Sequence, residues 1–339
     1  MIKTETNIPS AAIPRSESTR LVTGRGRFAD TITLPQMLHM VFVRSPFAHA
    51  RLKHRDTSGA ASMPGVAAVF KASDFAPFIA CMPQTRLDIM PGHVSPEQPP
   101  LAVDTIRFQG EPIVAIAAET LVQAQDAAEA VIVDYDELPA IASLDAAEER
   151  KERPASTIEI GKGETPDGKT HCIEASFSFG RQTGVTLESR GLIAAYDPCN
   201  EQLSVWHSHQ SPHLVQVLLA KILGLRENQV LVRATDVGGG FGVKLHFYPD
   251  EIATAIAARI LGRPVKYIAT RMEAFVSDAH AREFQADASV SLTAEGRIIA
   301  MEAAFRNAIG AYSIFPRSSV GDSVHAATQL GAPYQMKRL

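Results

Sequence analysis

A glycine-rich segment from Val237 to Lys244, reading Val-Gly-Gly-Gly-Phe-Gly-Val-Lys, carries the strongest chemical signal in this chain. Glycine adopts backbone conformations that are closed to other residues, and it lets the main chain approach a ligand closely. Successive N–H groups in such a turn form a concave site for an anion. The spacing does not match the dinucleotide-binding fingerprint, because Val243 and Leu245 stand where a third glycine is required. The segment therefore predicts a ligand-binding loop or a structural turn, and it does not support an NAD site.

Three histidines and a glutamine precede this segment in the sequence. His207 and His209 would point to the same face of a strand, and His213 follows in the first turn of a predicted helix. This spacing could begin a metal site. However, no nearby Asp, Glu or Cys completes a ligand set, so a polar strand end is favoured and no directly protein-bound metal is predicted. Gln210 offers both a donor and an acceptor to a ligand, although alone it would be a capping or loop residue.

A literal P-loop pattern occurs at Gly163–Thr170. A phosphate-binding loop needs a buried strand before it and a helix after it. Here Pro166-Asp167-Gly168 is typical of a hairpin turn, and the residues that follow alternate as a strand. An NTPase function is therefore a minor alternative, and it would require nucleotide binding that a Lys169→Ala variant loses.

The remaining charged candidates are interpreted as structural. Glu188 and Arg190 are predicted to form ion pairs, and Arg271, Glu273 and Arg282 are interpreted as helix or strand charges. No serine or cysteine lies in a recognisable nucleophile elbow. The sequence thus predicts no catalytic residue in this chain.

Composition excludes several classes of protein. The chain has 339 residues and a net charge of −4, which gives no electrostatic reason to expect nucleic-acid or anionic-membrane binding. Cys81, Cys172 and Cys199 are far apart, so a disulfide framework, a structural zinc site and an iron–sulfur cluster are not expected. The first twenty residues lack the apolar core of a signal peptide, and no apolar run is long enough to span a bilayer. A cytoplasmic protein is expected.

The elements that must position the candidate residues indicate an α+β fold. Residues 1–19 are predicted to be a mobile lead-in, residues 20–145 a first α+β domain, residues 146–170 a linker and residues 171–339 a second region. In the second region, a strand at 230–234 runs into the glycine-rich segment. Apolar residues at helical spacing predict helices that begin at Pro212 and at Pro249 and that end near Gly224 and Leu261, respectively.

Several motifs together support a family resemblance. From residue 20 onward the sequence resembles the molybdopterin-binding subunit of the xanthine dehydrogenase, aldehyde oxidase and aerobic CO dehydrogenase family. The motifs that carry the resemblance are Arg20–Asp30, Val43–Arg51, Met63–Phe70, Phe108–Pro112, Val133–Pro139, Leu187–Gly191, His209–His213, Gly238–Gly242 and Leu261–Lys266. The resemblance implies an α/β-hammerhead domain followed by the first part of a molybdopterin-binding α+β domain.

The resemblance also implies a cofactor and its contacts. In this family molybdenum is held by a pyranopterin, here expected in its cytosine dinucleotide form, with few direct protein ligands. Carried over to this sequence, Gln210 would hydrogen-bond an oxygen on molybdenum, and Gly239, Gly240, Phe241 and Gly242 would line the cofactor. The implied reaction inserts water-derived oxygen at a carbon of an aldehyde, an N-heterocycle or CO.

Family subunits are longer than this sequence, and the remainder includes an arginine loop and the general-base glutamate. We therefore expect the chain to be inactive alone and to be either a natural half-subunit or a truncated product. The expected partners are a C-terminal molybdenum-subunit fragment, an iron–sulfur subunit with 2Fe–2S and a flavoprotein with FAD. A half-domain exposes apolar surface, so the isolated chain is expected to aggregate or to need a partner. The alternative is a cofactor-free scaffold or assembly protein.

Leu245 is a departure that bears on the substrate. The xanthine-oxidising branch carries an acidic residue here, and leucine cannot accept hydrogen bonds from a purine. We assign Leu245 to the substrate pocket and expect a substrate other than xanthine. The Lys244–Pro249 run resembles the CO dehydrogenase and the N-heterocycle or aldehyde hydroxylase branches.

Overall fold

The computed structural model describes residues 15–80, 92–161, 163, 171–281, 283–316, 319–331 and 333–335. Four features considered above fall wholly or largely outside the described residues. These are the first fourteen residues of the predicted lead-in, Cys81, Arg282 and the P-loop pattern beyond Gly163.

Strands and short helices alternate through the chain. The strands are β1 Leu38–Arg44, β2 Ala50–Asp56, β3 Val66–Phe70, β4 Thr105–Ile106, β5 Pro112–Ala118, β6 Ile132–Glu137, β7 His171–Phe179, β8 Gly191–Asp197, β9 Gln202–His207, β10 Val230–Ala234, β11 Val265–Ile268, β12 Phe284–Leu292 and β13 Ile298–Asn307. The α-helices are α1 Ser18–Val22, α2 Ser58–Ala61, α3 Ala72–Phe75, α4 Leu121–Glu129, α5 Leu144–Glu149, α6 Pro212–Ile222, α7 Pro249–Leu261, α8 Arg271–Ser277 and α9 Ser319–Gln329.

The main sheet crosses the predicted boundary between the two regions. Its seven strands lie in the order β10-β9-β8-β11-β1-β5-β3. Strand β1 pairs in parallel with β11, with Leu38 opposite Val265. Both residues are fully buried and belong to an apolar cluster that includes residues of both regions, so the two regions share one sheet and that cluster. The predicted boundaries, with a linker at 146–170, stay a prediction. The first residues of that linker, 146–149, belong to α5. Ser143 caps this helix by accepting a hydrogen bond from the Ala146 N–H.

Helices α6 and α7 are the elements nearest the glycine-rich segment. Parallel neighbours need a crossover connection, and α6 supplies it between β9 and β10, which pair in parallel. Helix α7 packs on β8 and β11. It has the predicted bounds: Pro249 opens it, Glu251 accepts from the Tyr248 N–H, and Gly262 ends it with a φ of +59°. A buried apolar cluster includes side chains of both helices and of the main sheet, and buried charged side chains such as Asp250 and Glu251 lie at the start of α7.

Two three-stranded sheets flank the main sheet, in the orders β13-β12-β7 and β4-β2-β6. The alternation at 173–179 correctly predicted strand β7. The Thr120 and Gln123 pair forms the predicted capping box of α4, with the Thr120 hydroxyl accepting from the Gln123 N–H. No helix in the described ranges combines the length and the apolar character needed to cross a membrane.

Candidate cofactor site

The glycine loop, defined here as residues 238–242, lies beside Gln210 because two parallel strands end together. In the β9–β10 pair, His207 stands opposite Ala234. Gln210 follows the end of β9, and the glycine loop follows the end of β10. Both segments therefore leave the sheet at the same edge.

Gln210 is in direct contact with the loop. Its Oε1 atom accepts a hydrogen bond of 3.0 Å from the Gly242 N–H, and its own N–H donates to the Lys244 carbonyl oxygen at 2.9 Å. A Cβ atom added to Gly240 would lie 2.6 Å from the Gln210 Cδ atom. Glycine at 240 is thus required for this approach, and the predicted site residues are brought together.

The loop backbone takes conformations that favour glycine. Gly239 has a φ of +99° and Gly242 a φ of +85°, while Phe241 is held at +49°. A bulky residue is rarely found in this left-handed region, and such conformations concentrate at functional sites. The Phe241 ring is 77% exposed. Phe241 therefore points outward from the loop and is not packed into the core.

Leu245 lies three residues beyond the loop, in the 3₁₀ turn Val243–Leu245. Its N–H donates to the Gly242 carbonyl oxygen at 3.1 Å, and the residue is partly buried. Its position next to the loop agrees with its assignment to a substrate pocket, and that assignment stays a prediction.

The three histidines do not converge. His207 and His209 have ring centroids 4.7 Å apart, whereas His213 is exposed on α6. Burial, together with the neighbouring His207, lowers the pKa of His209 to about 4. Its Nδ1 atom accepts from the Ser211 N–H and its Nε2 atom faces the His246 carbonyl oxygen, which fits a neutral ring. Within the described ranges, no cluster of three or more His, Cys, Asp or Glu side chains could hold a metal ion.

The expected ion pairs of Glu188 and Arg190 are confirmed. Lys244 Nζ is 2.7 Å from Glu188 Oε2. The fully buried Arg190 guanidinium contacts Asp250 at 2.9 Å, Glu251 at 3.3 Å and Asp278 at 2.5 Å. On α8, Glu273 and Arg271 are structural as predicted: Glu273 pairs with Arg44, and Arg271 donates to the Leu187 carbonyl oxygen.

Asp236, which sequence reasoning missed, fixes the entrance of the loop. The Arg20 guanidinium donates to both carboxylate oxygens, at 2.5 and 2.6 Å, and the Arg27 N–H donates at 2.6 Å. The hydrogen bond from Arg20, followed by that from Arg27, lowers the pKa of Asp236 to about 2. Arg20 is 216 residues away in sequence, so no local pattern could have signalled this pair.

Replacing Arg20 with alanine should raise the pKa of Asp236 from about 2 toward its ordinary value of 3.8, short of it because Arg27 still donates. A carboxylate whose folded pKa is depressed stabilises the fold above its unfolded pKa and loses that contribution as the pH falls toward the folded pKa. The stability of the Arg20→Ala variant should therefore depend less on pH between about 4 and 2.

NMR titration of the Asp236 carboxyl measures the shift in its pKa. An Arg25→Ala variant is the control, since Arg25 contacts Thr23, and equal titration in all three proteins would refute the assignment.

Apolar side chains around the loop are unusually exposed. Leu187 is 92% exposed and Met272 on α8 is 73% exposed, and Val185 and Val237 are also exposed. Contiguous exposed apolar surface is typical of interaction sites. These exposed apolar side chains, which are close in sequence to residues that contact the loop or its neighbours, are candidates for contact with further protein.

Comparison with known proteins identifies the two regions. A model of the molybdopterin cofactor-binding domain matches residues 147–339, and a model of the aldehyde oxidase and xanthine dehydrogenase a/b hammerhead domain matches residues 23–139. The predicted fold class, a hammerhead domain followed by cofactor-binding domain sequence, is confirmed.

The relatives are subunits of known oxidoreductases. The large subunit of nicotine 6-hydroxylase from Paenarthrobacter nicotinovorans is 32% identical over 92% of this chain and 39% of its own length. The carbon monoxide dehydrogenase large chain from Hydrogenophaga pseudoflava is 31% identical over 84% of this chain and 38% of its own. The crystal structure of quinoline 2-oxidoreductase from Pseudomonas putida 86 superposes with a TM-score of 0.83 at 33% identity, covering 93% of this chain and 42% of that one.

The chain thus spans about two fifths of the length of these relatives. The cofactor-binding model alone matches more than half of the chain. On these grounds the chain belongs to the molybdopterin-binding subunits of the xanthine dehydrogenase, aldehyde oxidase and carbon monoxide dehydrogenase family.

Proposed function

We propose that the glycine loop and Gln210 form one wall of a molybdopterin site in a molybdenum hydroxylase of the cytoplasm. The observation that carries the proposal is the state of the Gln210 amide. Its oxygen is bonded to the Gly242 N–H, while its Nε2 group donates to no residue in the part of the chain that the structure describes. Gln210 is exposed beside the loop, so two N–H donors are available to a ligand.

The residues present fit the proposed group. A pterin-bound molybdenum centre offers oxygen acceptors, which a neutral amide can meet with its donors. The glycine at 240 lets the loop backbone lie directly against the Gln210 side chain, since an added Cβ atom would lie 2.6 Å from its Cδ atom.

In this proposal the cofactor, when bound, supplies the oxidation of the substrate with water-derived oxygen. This chain binds and orients it. Gln210 would hold one oxygen acceptor of the cofactor in place. Because its donors are already positioned, little free energy is spent on reorienting them during the reaction. Gly239, Gly240 and Gly242 would let the main chain lie against the cofactor, and Phe241 would exclude water from that side.

The remainder of the site would come from sequence outside these 339 residues. We propose that it supplies the opposite wall and the general-base glutamate, on a continuation of the chain or on a separate C-terminal fragment, and that the chain alone is inactive. The exposed apolar surface around Leu187 and Phe241 supports such a contact. Subunits carrying 2Fe–2S and FAD would remove the electrons. The cytosine dinucleotide form of the cofactor belongs to the same proposal.

The proposed substrate is an aldehyde, an N-heterocycle or CO. Relatives that are named for nicotine, quinoline and carbon monoxide support the N-heterocycle and CO members of this range, and Leu245 offers no acceptor to a purine. Turnover of these substrate classes, with xanthine as the contrast, tests the assignment of Leu245. Preferential turnover of xanthine would overturn it.

Metal analysis tests the proposed function. The chain is co-expressed with the C-terminal sequence that its relatives possess and with the adjacent iron–sulfur and flavin subunits, and the purified complex is analysed for molybdenum and pterin nucleotide. We expect stoichiometric molybdenum in the complex and no turnover by the chain alone. A stable complex without molybdenum would reject the proposal in favour of a cofactor-free scaffold.

A further inference from the structure

We propose that Glu188 is a positioning residue that holds the glycine loop against Gln210. The inference rests on the proposed function, because the loop matters to catalysis only if it receives the cofactor. Glu188 lies just before β8 and not on the loop, and its side chain is 15% exposed. It acts through the loop and has no direct contact with Gln210 among the described residues.

A single carboxylate oxygen connects three segments of the site. The Oε2 atom of Glu188 accepts from the Gly238 N–H at 2.7 Å, from Lys244 Nζ at 2.7 Å and from the Ser208 hydroxyl at 2.6 Å. Gly238 opens the loop, Lys244 follows it, and Ser208 lies two residues before Gln210. One atom therefore ties both ends of the loop to the segment that carries the amide.

The contact between Glu188 and the loop depends on glycine at position 238. A Cβ atom on Gly238 would lie 2.4 Å from the Glu188 Cβ atom, so glycine at 238 is what lets the carboxylate reach the loop. The Glu188 N–H also donates to the Gly238 carbonyl oxygen at 3.1 Å. Glycine is needed at 238 to make room for Glu188, whereas it is needed at 240 to make room for Gln210.

Lys244 carries the link from Glu188 to Gln210. Its side chain is fully buried, and a buried ammonium needs an anionic partner and hydrogen-bond acceptors. Glu188 Oε2 and the Ser208 hydroxyl supply them. The carbonyl oxygen of Lys244 in turn accepts from the Gln210 N–H. The ion pair therefore sets the position of the main chain that orients Gln210.

A Glu188→Gln variant removes the charge and keeps the side-chain shape. Hydrogen exchange on the co-expressed complex should show the Gly238 amide exchanging at least about ten-fold faster, as expected on weakening a charge-assisted hydrogen bond. Exchange in β12 and β13 should stay unchanged. In the co-expressed complex, molybdenum per chain should fall, and the turnover per bound molybdenum should fall with little change in KM.

Glu111→Gln is the matched control. Glu111 is a buried carboxylate that accepts from the Tyr312 hydroxyl and the Arg107 N–H, away from the loop. It should change neither loop exchange nor molybdenum content. Ser208→Ala, which keeps the ion pair, should give an intermediate increase in loop exchange and covers the case in which Glu188→Gln does not fold.

The outcomes separate the two proposals. Unchanged loop exchange in Glu188→Gln, or unchanged exchange in Ser208→Ala where the first variant does not fold, overturns the positioning role. Equal effects of Glu188→Gln and Glu111→Gln overturn it as well, since they would reflect general destabilisation. A wild-type complex without molybdenum overturns the proposed function instead, and loop exchange then still decides whether Glu188 holds the loop.

Discussion

Replacing Gly240 with alanine is expected to lower the molybdenum content of the assembled complex by about ten-fold while leaving the fold almost as stable as before. The added Cβ atom would lie 2.6 Å from the Gln210 Cδ atom, 2.6 Å from Oε1 and 2.7 Å from Cγ. These atoms belong to an exposed, flexible side chain, so the variant relieves the clash by rotating Gln210 away. The backbone at 240 has no left-handed φ, and no conformational strain adds to the effect.

The physical consequence is local. Rotation breaks the hydrogen bond from the Gly242 N–H to Gln210 Oε1 and removes the two Nε2 donors from the site. A Gln210→Ala variant should therefore show the same loss of molybdenum, and the double variant should be no worse than either single one, because both changes remove one interaction. Metal analysis and thermal melting of the four proteins measure this.

Gly180→Ala is the matched control for Gly240→Ala. A Cβ atom added to Gly180 would have no neighbour within 4 Å among the described residues, and Gly180 has no left-handed φ. The control variant should retain wild-type molybdenum. Additive losses in the Gly240→Ala/Gln210→Ala double variant would show that the two residues act separately, and full molybdenum in Gly240→Ala would remove the loop from the cofactor site.

Local sequence patterns predicted the elements of this site well. Pro249, the acidic first turn and the apolar spacing gave the bounds of α7, because helix ends depend on residues within one turn. The sequence also correctly predicted that the glycine segment lies between a strand and a helix, here β10 and α7. Local patterns missed β8, whose seven residues from Gly191 to Asp197 hold only a short apolar run, and they treated part of α5 as linker.

The contacts between elements were beyond local patterns. Gln210 meets Gly240 only because β9 and β10 pair in parallel, and the sheet is continuous only because β1 pairs with β11. The Arg20–Asp236 contact joins residues 216 positions apart. Resemblance to a family supplied the roles of Gln210 and of the loop residues, and no property of those residues alone would have assigned a molybdenum cofactor. Their roles stay predictions until metal binding is measured.

The largest loss of stability is expected on replacing Arg190 with methionine. The Arg190 side chain is 1% exposed, stacks on the Tyr248 ring at 3.6 Å and contacts three carboxylates. Removing one partner of a buried ion pair leaves the other charges unpaired, which costs about 3–5 kcal/mol. For a chain of this size we expect the melting temperature to fall by roughly 4–7 °C at pH 7.

Arg306→Met is the matched control. The Arg306 side chain is 41% exposed, and it also pairs with two carboxylates, Glu148 and Asp287. Exposed pairs contribute about 0–1 kcal/mol, so the melting temperature of this variant should stay within about 2 °C of wild type. Similar losses in Arg306→Met and Arg190→Met would show that burial does not set the cost.

The pH dependence of the Arg190→Met variant gives a second, independent test. In the wild type, burial raises the pKa of Asp250, but Arg190 and then Arg44 outweigh it and hold that pKa far below its usual value. This carboxylate therefore stabilises the fold at neutral pH. It loses that contribution only in strong acid. Burial already raises the pKa of Asp278 in the wild type. Without Arg190, which opposes that effect, the pKa of Asp278 should rise further. A group with a raised folded pKa stabilises the fold below its unfolded pKa and loses that contribution as the pH rises. The gap in melting temperature between the variant and wild type should therefore narrow as the pH falls from 7 toward 4, and a gap that widens instead would show that Arg190 does not neutralise these buried carboxylates.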